Sequence, residues 1–189
     1  MRICESQRVP DHAAFLKGIN LGKRRLSNDE LRGHIESLGV SEAAIFRASG
    51  NVVFSDPLKR GDDELVRLLE GGLERLLGYS VATFLRSAEE LLEIAAARPF
   101  DAATGERLHG KLQVMLLGAR PATAARAAAL ELAGPDDALS FGERELYWLP
   151  AGGMSDSGLE LKALERLLGP MTIRTKGTIE QIAARHFAG

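Results

Sequence analysis

The run Ala13 to Ile19 is almost continuously apolar and predicts a buried strand. After it, Ser27 with Glu30 three residues on forms the signature of a capping box, opening a helix that buries Leu31, Ile35 and Leu38 and ends at Gly39. Ala43 to Ala48 and Val52 to Ser55 then read as two strands joined near Gly50-Asn51, a dipeptide suited to a tight hairpin. From Asp62 to Leu77, six leucines (Leu65, Leu68, Leu69, Leu73, Leu76 and Leu77) fall on one helical stripe that starts with acids and stops at Gly78. Tyr79 to Leu85 predicts a strand, and Ser87 with Glu90 caps a further helix that ends before Pro99.

The same order returns after a stretch of weak periodicity. Lys111 to Leu117 is a strand, and Ala122 to Leu132 is a helix entered at Pro121 and closed by Gly134-Pro135. Ala138 to Phe141 and Glu145 to Leu149 make a hairpin around Gly142-Glu143. Leu159 to Leu168 is a helix, Met171 to Arg174 a strand, and Thr178 with Gln181 caps the last helix. The chain is therefore expected to be α+β, two ferredoxin-like βαββαβα halves forming a duplication related by a pseudo-twofold. The expected divisions are an extension over 1–12, a first half over 13–98, a connector over 99–110 and a second half over 111–189. The rival arrangement is one continuous sheet with unrelated halves.

Composition narrows the partners rather than the fold. The 189 residues are 45% hydrophobic and 26% charged, with a formal net charge of −2, so no global attraction to nucleic acid or anionic membranes follows. The 18 Arg far outnumber the 6 Lys, yet they are scattered among acidic residues. The single Cys4 cannot form an internal disulfide, and His12, His34, His109 and His186 are spaced too widely for a local zinc motif, so no metal and no cofactor is expected. No apolar run approaches the roughly 18 residues that cross a bilayer, and residues 1–12 lack the apolar segment of a signal peptide. A cytoplasmic location is the expectation.

Three places carry candidate chemistry. Gly18-Ile-Asn-Leu-Gly22-Lys23-Arg24-Arg25 lies between a strand and a helix N-terminus, which suits a phosphate-binding loop. It is a partial match: its two glycines enclose three residues where the nucleotide signature has four, and Arg24 stands where a hydroxyl would hold magnesium. Binding of a small anion fits it better than nucleotide hydrolysis, and a plain basic turn fits it equally well. Arg47-Ala-Ser-Gly-Asn-Val-Val-Phe54 can be laid on the third-strand octamer of RNA-recognition motifs, but Ser49 and Asn51 occupy the two ring positions, leaving Phe15 on the first strand as the one candidate for stacking a base. In the second half, Ser155 and Ser157 lack the spacing of a nucleophile elbow and read as helix caps, at Asp156 or Ser157. Alternation sends one of Tyr147 and Trp148 outward, where it could meet a ligand.

The segments Phe15-Leu-Lys-Gly-Ile-Asn-Leu-Gly22, Leu31 to Gly39 and Ser49-Gly-Asn-Val-Val-Phe54, with Arg98-Pro-Phe100 and Leu146-Tyr-Trp-Leu-Pro150, resemble those of an uncharacterised bacterial family, domain of unknown function 1697. The resemblance runs from about Ala13 to Ile182 and implies paired α+β halves, with no activity, cofactor or partner attached. Two departures stand out. Lys17 replaces the family's first-strand Arg, keeping the charge but losing a bidentate fork. Thr175 and Lys176 replace Asn and Trp in a segment near the C-terminus, so a site lined by that segment would be altered here.

The leading functional expectation is a small-molecule or anion-binding protein, with enzymatic activity undecided. Lys17, Asn20, Lys23, Arg24, Arg47, Ser49, Asn51 and Arg174, all at loops and strand ends, would converge on one cleft and take a small anionic ligand. The alternatives are a nucleic-acid module using an open ferredoxin-like sheet face, which the missing rings argue against, and a protein interaction module that pairs sheets between subunits.

Overall fold

The computed structural model describes residues 9–20, 26–47 and 50–188. The first seven elements are β1 (His12–Lys17), α1 (Asn28–Ser37), β2 (Ser41–Phe46), β3 (Asn51–Ser55), α2 (Asp62–Leu77), β4 (Ala82–Ser87) and α3 (Ala88–Ala96). The short α4 (Ala102–Arg107) follows, and then β5 (Gln113–Leu117), α5 (Thr123–Leu130), β6 (Asp137–Phe141), β7 (Glu145–Pro150), α6 (Leu161–Leu168), β8 (Met171–Thr175) and α7 (Lys176–His186). The strands form two antiparallel sheets of four, ordered β2-β3-β1-β4 and β6-β7-β5-β8. That is one ferredoxin-like order made twice, and not one continuous sheet. Residues up to Leu91, together with those from Ile182 onward, form one compact unit, and Leu92–Gln181 form a second.

In the first unit, local chemistry sets the helix ends and burial sets their faces. Ser27 accepts from the Glu30 N–H at 3.2 Å and its own N–H donates to the Glu30 carboxylate at 2.9 Å, closing the capping box. Asp62, Asp63 and Glu64 complement the positive end of α2, and Gly78 closes it with φ 74 and an N–H to the Glu74 carbonyl at 2.8 Å. Leu31 and Ile35 from α1, and Leu65, Leu69 and Leu73 from α2, pack on Ala14, Leu16, Val52, Phe54 and Leu85 of the sheet. Each such leucine taken out of water stabilises by about 1.5–3 kcal/mol. The other face of this sheet, carrying Ala13, Phe15, Val53 and Phe84, is buried as well.

The second unit repeats the plan around Met115, Leu117, Leu146, Trp148, Leu159, Leu164 and Met171. Segment 99–110, expected as a connector, holds the short α4, whose N-cap Asp101 accepts from the Thr104 N–H at 2.8 Å. Trp148 and Tyr147 are both buried, so neither ring reaches outward as alternation had suggested. Ser157 is not a helix cap either. Its hydroxyl donates to the buried Asp137 carboxylate at 2.8 Å, beside the Trp148 Nε1–H at 2.6 Å, and α6 starts later, at Leu161.

Candidate functional site

The end of the first sheet where β1 exits is built by a close approach that only glycine permits. Leu16 donates its N–H to the Gly50 carbonyl at 2.7 Å, and a Cβ placed on Gly50 would lie 3.0 Å from Ile19 Cγ2 and 3.1 Å from Leu16 Cβ. Gly50 also sits at φ +67, a conformation that costs L side chains steric strain. The turn of the β2–β3 hairpin is therefore seated directly on the β1 exit. Phe46 pairs with Asn51, so this turn runs over 47–50 and is longer than the tight hairpin that Gly50-Asn51 predicts.

Two bonds fasten the loop that leaves β1. The Tyr79 hydroxyl donates to the Ile19 carbonyl at 3.0 Å, and the Asn20 side-chain oxygen accepts from the Leu26 N–H at 2.9 Å. Between these fastenings the sequence carries Lys23 and Arg24, which lie outside the described residues, as does Ser49 in the hairpin turn.

Four of the expected site residues lie at this end of the first sheet. Lys17 is the exposed last residue of β1, and the exposed Asn20 closes the loop just described. Asn51 opens β3 with its side chain buried, donating from Nδ2 to the Phe46 carbonyl at 3.2 Å. Arg47 stands at φ 60 with its guanidinium 5.3 Å from the centre of the Phe46 ring, a cation over an aromatic face. Cross-strand register aligns Phe46, Asn51 and Phe15, and a strand's two-residue period carries Lys17 onto their face, opposite the leucine core. Arg174 belongs to β8 in the second unit, donating to Thr172 Oγ1 at 2.9 Å and to the Ile173 carbonyl at 2.8 Å, and burial pushes its pKa down to about 10.

His186 also reaches this end, and no sequence signal announces it. It ends α7, the last helix of the second copy, yet residues from Ile182 onward belong to the first unit, where Ile182, Ala183 and Phe187 are buried. Its imidazole meets the Phe46 ring edge-on, with centroids 6.5 Å apart at 88°. Burial pushes its pKa below the ordinary value, and the neighbouring Arg185 adds to the shift.

Thr175 and Lys176 both make contacts within the second unit. Thr175, rather than Thr178, caps α7: its hydroxyl accepts from the Thr178 N–H at 3.2 Å. Lys176 is buried and donates to the Ala95 carbonyl at 2.6 Å and to Glu180 at 2.8 Å. Among the described residues no three His, Cys, Asp or Glu side chains gather as a metal would require, and no helix is long and apolar enough to cross a membrane.

Comparison with known proteins gives a family and a fold. The family model described as "Protein of unknown function (DUF1697)" matches residues 9–147. No curated protein matches the chain. A solved structure titled as that of a conserved bacterial protein, SP0830 from Streptococcus pneumoniae, aligns with a TM-score of 0.72 at 21% identity, covering 94% of this chain and 98% of that one. At that identity the likeness shows the shared architecture.

Proposed function

The chain belongs to the DUF1697 family, and from the geometry at the β1 exit we propose that it binds a small anion of the phosphate or sulfate type there. The observation that supports this reading is the Gly50 approach, because it seats the hairpin turn that follows Phe46 and Arg47 against the exit of β1, the strand that ends in Lys17. A backbone held in this way needs little reordering when an anion arrives, so more of the charge-assisted hydrogen bonding would appear as affinity. Lys23, Arg24 and Ser49, carried on the two adjoining loops, are proposed to complete the site, with Asn20 and Asn51 holding those loops in position.

Burial supports a small ligand over a nucleic acid. Phe15, the ring left to stack a base on the first strand, is 0% exposed, and Phe84 beside it is 3% exposed. Stacking on an open sheet face needs such rings in solvent. Titrating sulfate or inorganic phosphate into isotope-labelled protein should shift the amides of Lys17 to Asn20 and Phe46 to Asn51 before all others. If the largest shifts fall in β5 to β8 instead, the site is misplaced.

A further inference from the structure

We propose that β6 is the edge through which two copies of this chain pair, strand against antiparallel strand, about a twofold axis at Ser140. The inference concerns the second unit and is independent of the anion-binding reading. An edge strand presents a row of backbone N–H and C=O groups that will take another strand unless something protects them. Three of the four sheet edges are protected from within their own units. In β4, the bond from the Ala88 N–H to the Asp11 carbonyl and the alternation of the ladder turn Thr83, Leu85 and Ser87 outward. The Thr83 N–H donates to Glu70, the Leu85 carbonyl accepts from Arg86, and the Ser87 N–H donates to Glu90. In β8 the outward Ile173 carbonyl accepts from Arg174, the equivalent position of the second unit. β2 is interrupted by a register shift between Ser41 and Ala44, with Glu42 at φ 55.

β6 carries no such device. Its register against β7 is regular, and the bonds from the Gly142 N–H to the Glu145 carbonyl and from the Ala151 N–H to the Asp136 carbonyl fix which residues face that neighbour. Alternation then turns Asp137, Leu139 and Phe141 outward. The Asp137 N–H returns to the Gly134 carbonyl at 3.2 Å, but among the described residues nothing is bonded to the outward N–H and C=O groups of Leu139 and Phe141. The occupant that matches these groups is β6 itself. With Ser140 on the twofold, Leu139 of each strand faces Phe141 of the other, and the free donors and acceptors of both copies close one short ladder. That register sets the half-buried Leu139 beside the half-buried Phe141 ring, an aliphatic–aromatic cross-strand pair. It also sets Arg144, just past the end of β6, across from the exposed Asp136 that precedes the strand, so opposite charges meet at both ends of the ladder. Glu143 and Asp137, which the register brings toward each other, are each already held, by Arg120 and by Trp148 with Ser157. A strand of unrelated sequence would match the backbone groups alone.

So short a ladder makes a small, transient interface, and its assembly is read as a function of concentration. Sedimentation velocity on the full chain should show a monomer that shifts toward dimer as concentration rises. The Leu139 and Phe141 amides should gain protection from hydrogen exchange in step with that shift, whereas Ala138 and Ser140, bonded to β7, should be protected throughout. Ser140 faces its own symmetry mate at a non-hydrogen-bonded position, where the Cα atoms stand about 4.5 Å apart, within reach of a disulfide. In a Cys4→Ser background, Ser140→Cys should therefore give a covalent dimer under mild oxidation, and Ala138→Cys, offset along the ladder from its mate, should not. Arg144→Glu should weaken the dimer about 3- to 10-fold, and adding Asp136→Arg to it should restore the wild-type strength. A chain that stays monomeric at every concentration overturns the proposal. So does a dimer in which the Leu139 and Phe141 amides exchange as fast as in the monomer, or in which Ala138→Cys cross-links as readily as Ser140→Cys.

Discussion

Lys176 places its ammonium 2.6 Å from the Ala95 carbonyl, so one buried side chain at the start of α7 satisfies a backbone acceptor in the last turn of α3. Glu180, one turn further along α7, accepts from the same ammonium at 2.8 Å. Arg98 works on the same helix end, donating to the Ala96 and Ala97 carbonyls at 3.2 and 3.0 Å. Cations at a helix C-terminus also complement its dipole. Lys176 and Arg98 therefore both serve the carbonyls at the C-terminal end of α3.

Lys176→Met keeps much of the stem and removes the charge. The part-buried Ala95 carbonyl then loses its ammonium donor, while the half-exposed Glu180 keeps the Arg98 guanidinium at 4.0 Å, and a hydrogen bond to a charged group is worth about 1.5–3 kcal/mol. Urea unfolding followed by far-ultraviolet circular dichroism should show a lower midpoint with an unchanged slope. Sulfate-induced shifts at Lys17 to Asn20 should persist in the same variant.

Helix ends were legible in the sequence because their chemistry is local. Ser27 with Glu30, and Gly78 after the leucine stripe, mark the limits of α1 and α2 without reference to any other part of the chain. Strand ends were less so, because a strand stops where its partners stop. Tyr79 and Ser80 read as part of β4, yet the Tyr79 hydroxyl is drawn to the Ile19 carbonyl and the Ser80 hydroxyl to Glu74, and pairing with β1 begins only at Ala82. The start of α7 was missed for a related reason, since Thr175 and Thr178 can each cap a helix and packing of Lys176 against α3 favours the earlier one.

The candidate site divides in the same way. Lys17, Asn20, Arg47 and Asn51 could be gathered from the ferredoxin-like order alone, which sets the exit of β1 beside the entry of β3. Arg174 is grouped with them by residue type alone, and its strand belongs to the other unit. His186 is invisible to periodicity and motif, because its contact with Phe46 joins opposite ends of the chain.

The first unit should weaken in acid through two carboxylates at the far end of its sheet. Burial pushes Asp56 up, but hydrogen bonds from the Arg60 side chain, including one from Nε at 3.1 Å, and from the Arg60 and Leu58 N–H groups outweigh it and hold the carboxyl below its usual range. Asp11 behaves alike, with Lys59 at 2.8 Å and the Asp56 N–H at 3.2 Å overcoming partial burial. A carboxyl whose folded pKa is depressed contributes stability that is complete above the unfolded value, near 3.9, and is lost as pH falls through the folded value. The urea midpoint should therefore stay level down to about pH 5 and drop steeply below about pH 4. Asp56→Asn should lower the midpoint at neutral pH and flatten that acid slope, and an unchanged slope would mean that other groups govern acid unfolding.

Gly50→Ala tests the approach on which the anion site depends. The new methyl group would stand 3.0 Å from Ile19 Cγ2 and 3.1 Å from both Leu16 Cβ and the Leu16 carbonyl oxygen, at a backbone φ of +67. Neither β1 nor the buried Ile19 side chain can give way freely, because Leu16 is paired on its strand and the Ile19 carbonyl is held by Tyr79. Backbone strain of this kind costs about 1–3 kcal/mol, and the hairpin turn can relieve it by lifting from the β1 exit. Lifting carries Arg47 away from Lys17. The variant should consequently fold with a lower urea midpoint and bind sulfate several-fold more weakly, with the largest amide changes in Phe46 to Asn51. Gly61→Ala, at the N-cap of α2 where a Cβ meets nothing within 4 Å and φ is −72, serves as the matched control and should leave sulfate binding at the wild-type level. Equal sulfate affinity in Gly50→Ala and wild-type protein would show that the seating of the hairpin on β1 does not organise the site.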